Sequence, residues 1–268
     1  IGLTDRLIDQ YGSNIIFVPE FLRESHALTD ARNPTRIIFG TRNVSKLTIK
    51  FQTLVESLLK NNEKVMYMSA KDAEATKLFS NAYLAMRIAF FNELDSFGLQ
   101  NGLNVEKIVE GMGRDPRIGS SYNKPSIMFE GYCLPKDTQE IESEISDVKN
   151  NQLINSIIKS NNARLEFITD ECIKRAKELT NKEEKEIIIG IYQLETKQIG
   201  KNYRSSSSLR LLKNLKERGI KVIVYDPVYL QGEKDFDEFT RNSDLIVTNK
   251  IDKRIKKYSN KLFSRAKS

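Results

Sequence analysis

Glu186-Ile187-Ile188-Ile189-Gly190-Ile191-Tyr192 is an apolar run of strand length. Residues 205–218 follow as a helix, then residues 221–225 as a second strand ended by Asp226-Pro227. Residues 236–242 give another helix and residues 244–248 a third strand. Strands that alternate with helices across short connections specify a parallel sheet wound by right-handed crossovers. Ligands of such sheets bind beyond the carboxyl ends of the strands. Here those ends carry Tyr192-Gln193-Leu194-Glu195-Thr196-Lys197 and Tyr225-Asp226-Pro227.

Working outward, the pattern changes abruptly at Asn181-Lys182, which marks a boundary. Upstream of it, residues 151–180 and a long segment from Asp72 to about Gly102 read as helices. Residues 105–113 form another, capped by Asn104. Between them, residues 114–137 are a Gly/Pro/Ser-rich loop, long enough to suggest function. Residues 1–45 read as the tail of an α/β unit. Thr4-Asp5 caps a short helix to about Tyr11, strands lie at 14–18 and 36–40, and a long loop runs over 19–34. An amphipathic helix at 46–61 and a strand at 64–69 complete it. The fold class is α/β in three parts: an N-terminal Rossmann-like remnant at 1–70, a central all-helical domain at 71–180 and a parallel-sheet α/β domain at 181–268. Two strands and a helix cannot close an α/β core alone, and the sequence opens at Ile1 rather than Met. The reading therefore expects a missing first half-domain.

The 268 residues are 39 % hydrophobic and 29 % charged, as in soluble globular proteins. No apolar run approaches the ~20 residues of a membrane span, and no signal peptide opens the chain. Two cysteines, Cys133 and Cys172, suit a reducing cytoplasm rather than a disulfide framework. Net charge is +7 and the pI about 9.2, yet the lysines lie in helix-like stretches such as 174–187 and 250–268, mixed with acids. With no Arg-rich block, aromatic interleaving or zinc spacing, neither nucleic acid nor a metal is expected.

Gly131-Tyr132-Cys133-Leu134-Pro135-Lys136-Asp137 carries the chemistry. A thiol close to a cation is a competent nucleophile, and a neighbouring acid can move a proton or hold a water. The same residues also describe a half-buried cysteine in a turn. Cys172, on a helix with Phe167 and Ile168, is a packed thiol, and the lone His26 has no assigned role.

Several segments in order resemble the UDP-glucose/GDP-mannose dehydrogenase family. They are Pro19-Glu20-Phe21-Leu22-Arg23-Glu24, residues 74–84 (EATKLFSNAYL), Asp115-Pro116-Arg117-Ile118-Gly119 and the cysteine heptapeptide. Lys197, Tyr203-Arg204-Ser205-Ser206 and Tyr225-Asp226-Pro227 continue the match, which runs over essentially the whole chain. The resemblance implies two successive NAD-dependent oxidations at one carbon of a nucleotide sugar, UDP-glucose first. An aldehyde is trapped as a thiohemiacetal on the cysteine, oxidised to a thioester and hydrolysed to UDP-glucuronate. GDP-mannose or UDP-amino-sugar oxidation, and a non-catalytic remnant that binds UDP-sugars or dimerises, are the alternatives.

By that resemblance Cys133 is the nucleophile. Lys77 and Asn81, at i and i+4 on one helix, reach a developing oxyanion. Asp137 positions water or takes the alcohol proton, Glu24 helps the hydrolytic water, and Glu20 holds the site. Phe21, Leu22 and Arg23 wrap the nucleotide sugar, partly by backbone. Tyr122, Gly131 and Lys136 lie near the diphosphate or sugar, and Lys197 and Arg204 near anionic groups. Glu24, Lys136 and Arg204 are the positions implied for NAD. A homodimer through the central helices is implied, with Arg117 reaching the neighbouring subunit's site.

Three features depart from the family pattern. Its N-terminal Gly-x-Gly fingerprint is absent, since Gly111-Met112-Gly113 follows a helix rather than a strand. The upstream Ser-Thr-x-Pro segment is missing too, so about 100–130 residues are expected to be gone by domain size. Glu130 stands two residues before Tyr132, where a glycine backbone normally faces the sugar; a carboxylate there opposes a diphosphate.

Overall fold

The computed structural model describes residues 1–23, 26–59, 65–194, 206–226, 232–233 and 235–265. The chain divides into two compact units, residues 1–82 with 140–148, and residues 83–139 with 149–268.

The first unit contains helices α1 (Leu3–Tyr11), α2 (Ala27–Arg32) and α3 (Lys46–Ser57), and strands β1 (Ile37–Gly40) and β2 (Val65–Met68). It also holds the start of the long helix α4 (Ala70–Gln100). β1 and β2 pair in parallel, Ile37 opposite Val65 and Gly40 opposite Met68, with α3 as the crossover. Ser45 caps α3, and Thr48 returns the bond in a capping box. Buried Phe39 stacks on Phe51 at 5.4 Å and meets the edge of Tyr67 at 5.8 Å. Gly40 has no room for a Cβ, because Ala70 and Ala73 of α4 lie directly on it. A glycine there lets helix and strand backbones approach.

Two expectations change here. Residues 14–18 are not a strand: only Phe17 pairs with Gly40, exchanging bonds of 2.9 and 2.8 Å. β1 is four residues long, and Pro19 can donate nothing to extend the ladder. The loop predicted over 19–34 contains α2, whose end is closed by the Asn33 amide on the Thr29 carbonyl at 3.0 Å.

Glu74 ties α1 to α4. Its Oε1 accepts from the Thr4 amide at 2.8 Å and the Thr4 hydroxyl at 2.6 Å, and its Oε2 from the Gly2 amide. Burial pushes this carboxyl up, but the bonds from Thr4 and Gly2 outweigh it and hold it below its ordinary value of 4.5. A group depressed in the folded state stabilises above its unfolded value and stops doing so as pH falls through its folded one. Glu74→Gln is therefore expected to cost on the order of 1–2 kcal/mol at neutral pH. The gap from the parent should close as pH falls below the ordinary carboxyl value of 4.5 and through the lowered folded one, as the parent carboxyl protonates. Urea unfolding across a pH series checks this; a gap independent of pH would mean that the charge contributes nothing.

The second unit holds the rest of α4, then α5 (Val105–Gly113), the start of α6 (Cys133–Glu144) and α7 (Gln152–Thr180). Asn104 caps α5 by accepting from the Lys107 amide at 3.0 Å. Asn181, in the left-handed region at φ 55°, ends α7. There follow β3 (Ile188–Tyr192), α8 (Ser207–Glu217), β4 (Lys221–Tyr225), α9 (Phe236–Asn242), β5 (Leu245–Thr248) and β6 (Leu262–Ser264). All four strands are parallel, in the order β4-β3-β5-β6. Ile187 and Ile189 pack beneath α7 with Leu165, Ile168, Cys172, Leu211 and Leu245.

The helix-like reading of 250–268 fails over its described part. Asp252 Oδ1 accepts from the amides of Arg254 and Ile255, starting a 3-10 segment at Ile255–Lys261. Leu262–Ser264 then pair with the free edge of β5, which buries Phe263. An open sheet edge and an apolar strand-forming pair outweigh the weak propensity of a lysine-rich run.

Candidate active site

The loop predicted over 114–137 is pinned along its length from inside the second unit. Arg87 donates to the carbonyls of Ile118 and Ser121, both at 2.6 Å. Asn92 accepts from the Ser126 amide at 2.7 Å. Asn161 brackets Phe129, accepting from its amide at 2.8 Å and donating to its carbonyl at 3.2 Å. Arg164 donates to the Ser126 carbonyl at 3.0 Å, the Ser96 hydroxyl at 2.6 Å and Asp95 Oδ2 at 2.5 Å. Asp95 is fully buried, and Arg265 reaches its other oxygen. Ile127, Met128 and Phe129 are buried by this anchoring.

The loop ends earlier than predicted, because Cys133 is the first residue of α6 rather than part of a turn. Gly131, at φ 92°, makes the bend that admits it, a conformation costly for a residue with a Cβ. Pro135 is tolerated because the first helical turn has no amide partner to lose. Cys133 is free and exposed. One turn along, on the same face, Asp137 is buried with 2 % of its surface exposed. Lys136 Nζ lies 2.6 Å from Asp137 Oδ1 and 5.6 Å from the centre of the Tyr132 ring. The Asp137 carboxylate holds the Lys136 ammonium above its ordinary value, so a cation stays beside the thiol's helix turn.

Arg117 lies in the same loop, its side chain 88 % exposed and paired with Asp115 at 2.6 Å. Tyr122, at φ 53°, is exposed. A cavity of about 500 Å³ lies behind it, lined by Tyr122, Lys124, Ser126, Glu130, Asn249 and Arg265 among others. Glu130 Oε2 accepts from the Ser207 amide at 2.6 Å.

The other predicted site residues form a cluster within the first unit. Lys77 and Asn81 share a face of α4, and Asn81 is buried. Lys77 Nζ donates to the Glu20 carbonyl and lies 5.5 Å from the Phe21 ring centre. Arg36 stacks on the same ring at 3.8 Å and reaches the Ser80 hydroxyl at 3.4 Å. Leu22 is half-buried beside them. Arg23 grips Asp30 through its amide and Nε at 2.9 Å and Nη2 at 2.7 Å. Those bonds drive the Asp30 carboxyl well below the usual carboxylate range.

Glu24, Lys197 and Arg204 lie outside the described residues. Sequence reasoning missed Arg36, Lys124, Asn161, Arg164 and Asn249. Asn161 and Arg164 left a legible signal, since they interrupt the apolar stripe of α7 at helical spacing from Leu165 and Ile168. Among the described residues, no three His, Cys, Asp or Glu side chains are grouped to hold a metal ion. No helix there is long and apolar enough to cross a membrane.

The model of the UDP-glucose/GDP-mannose dehydrogenase family, central domain, matches residues 71–163. The chain is 39 % identical over 274 residues to the UDP-glucose 6-dehydrogenase of Campylobacter jejuni, covering 98 % of this chain and 67 % of that protein. Against that of Streptococcus pneumoniae the identity is 34 %, over 98 % and 68 %. Among solved structures, a UDP-glucose dehydrogenase from Pyrobaculum islandicum superposes with a TM-score of 0.74 at 24 % identity, over 91 % of this chain and 58 % of that one. A UDP-D-ManNAc dehydrogenase from Pyrococcus horikoshii gives 0.77 at 21 %, over 97 % and 63 %. These two share the fold, and the chain spans less than two thirds of either.

Proposed function

The chain belongs to the UDP-glucose/GDP-mannose dehydrogenase family, and we propose that it supplies the substrate-binding and thiol-bearing part of an NAD-dependent, two-step oxidation of UDP-glucose to UDP-glucuronate. The observation that carries this reading is an exposed Cys133 at the start of α6, with buried Asp137 one turn away and Lys136 held beside it.

In this reading the Cys133 sulfur adds to the carbon of the aldehyde formed from the sugar's primary alcohol, and the carbonyl oxygen takes a proton. The thioester formed by the second oxidation is opened by water, which Asp137 orients and deprotonates, with Glu24 assisting. The acid leaves and the thiol is restored. In the first unit, Lys77 and Asn81 donate to developing negative charge on oxygen, and Glu20, Phe21, Leu22 and Arg23 hold the nucleotide sugar. Tyr122, Gly131 and Lys136 line the diphosphate or sugar, and Lys197 and Arg204 meet anionic groups.

NAD is the hydride acceptor of the proposed reaction. The sequence's one Gly-x-Gly, Gly111–Gly113, ends helix α5 instead of joining a strand to a helix. The described residues do not form a dinucleotide cradle, and no hydride step is assigned to them.

The protein works as a homodimer through the central helices, with Arg117 extended toward the neighbouring site. Tyr83, Phe90 and Leu153, each more than half exposed, border an apolar hollow of about 390 Å³ that suits such packing. Two unpaired thiols fit a cytoplasmic setting.

Calorimetric titration of the chain with UDP-glucose, with GDP-mannose and UDP as controls, tests the assignment. Selective binding of UDP-glucose is the expected result. Preference for GDP-mannose would move the chain to the sister activity, and a folded chain that binds neither sugar nucleotide would refute the substrate reading.

A further inference from the structure

In the order β4-β3-β5-β6 the chain leaves β3 toward β4 on one side and leaves β5 toward β6 on the other, so a crevice opens between the carboxyl ends of β3 and β5. Open α/β sheets take their ligands at such a switch point. Asn249, directly after β5, lines the 500 Å³ cavity together with the loop that leads to Cys133. That volume accommodates a small ligand. Tyr122 offers a ring, Lys124 a cation, and Arg265 a guanidinium shared with Asp95.

Glu130 is the acid among these wall residues, and it is fixed there. Ser207 N donates to its Oε2 at 2.6 Å, and the Ser207 hydroxyl accepts from Asn249 Nδ2 at 2.6 Å. The preceding residue, Phe129, is buried and bracketed by Asn161. The positive end of α8 favours an anion, so the carboxylate has little reason to swing aside for a ligand of its own sign.

We propose that Glu130 determines specificity in this cavity, its anchored carboxylate weakening the binding of ligands that bring a diphosphate to Lys124. This rests on the reading that the chain binds a nucleotide sugar. It makes the cavity favour ligands whose charge is carried away from Glu130 over those that place phosphate against it.

The test titrates the chain and Glu130→Gln with inorganic pyrophosphate, UDP-glucose and uridine. Glutamine keeps the oxygen that accepts from Ser207, and urea midpoints check that the fold is retained. Glu130→Gln is expected to bind pyrophosphate and UDP-glucose about tenfold more tightly, the scale of one like-charge contact in a partly open cleft. The difference should shrink as salt rises, and uridine should show none. Equal or weaker pyrophosphate binding by Glu130→Gln overturns the proposal. Lys124→Met should weaken pyrophosphate binding in both backgrounds; no change there would put the anion outside this cavity and overturn it too. Tighter pyrophosphate with no UDP-glucose binding in either protein would keep the role of Glu130 and refute the nucleotide-sugar reading. UDP-glucose bound equally by both proteins would do the reverse.

Discussion

Cys133→Ser is expected to lower UDP-glucuronate formation by roughly 10⁴-fold or more, while UDP-glucose still binds. A serine hydroxyl has the same reach but is a far weaker nucleophile at neutral pH than a thiol with a partial thiolate population. It also makes an ester where the cysteine makes a more reactive thioester. Binding should survive because Cys133 is exposed at the start of α6, and the loop before it is held by Asn92, Asn161 and Arg164 rather than by the thiol. Product assay with NAD supplied, beside calorimetry on the same variant, separates the two effects. Acid formation near the parent rate would remove the thiol from the mechanism. Cys172 is an internal control for thiol reagents, since complete burial pushes that thiol far up and leaves it inert.

Arg164→Met should be the most destabilising of these substitutions, at about 3–5 kcal/mol. Asp95 is fully buried and Arg164 nearly so, and burial pulls the guanidinium below its ordinary value although Asp95 opposes this. Removing Arg164 leaves Asp95 with Arg265 and strips the Ser126 carbonyl and Ser96 hydroxyl of a donor. The cost comes from desolvated groups left behind; replacing the whole pair with apolar residues need not cost as much. Arg164→Lys should fall between, because one ammonium cannot reproduce the planar fork that meets Asp95, Ser96 and Ser126 together. Urea unfolding with an unchanged slope would measure the loss. A change below about 1 kcal/mol would show that Arg265 alone satisfies Asp95.

Features set by near neighbours were legible in the chain. The alternation after Asn181 yielded the parallel sheet, and β4 and α9 fall where the pattern put them. The Asn104 cap, the shared face of Lys77 and Asn81, and the Lys136–Asp137 pair depend on spacings of four residues or fewer. Where a tertiary partner competed, local reading lost. Residues 14–18 had strand character but met only one residue of β1, and Leu262–Ser264 left a helix-like run for the edge of β5. Pro135 disguised the start of α6 because proline usually signals a break, yet the first turn has no bond for it to break.

The site shows the same division. The order of residue types along the chain determined the α/β class and the family, and it singled out Cys133 with Asp137 four residues on, since periodicity and short spacings act over a few residues. Only the tertiary structure decided that Lys77 spends a bond on the Glu20 carbonyl, that Asp95 is shared by Arg164 and Arg265, and that Glu130 is held by α8. These partners are separated by 57, 69, 170 and 77 residues. A buried charge takes whichever donor the packed core leaves within reach, and desolvation, which sets the strength of that choice, exists only after the chain has folded.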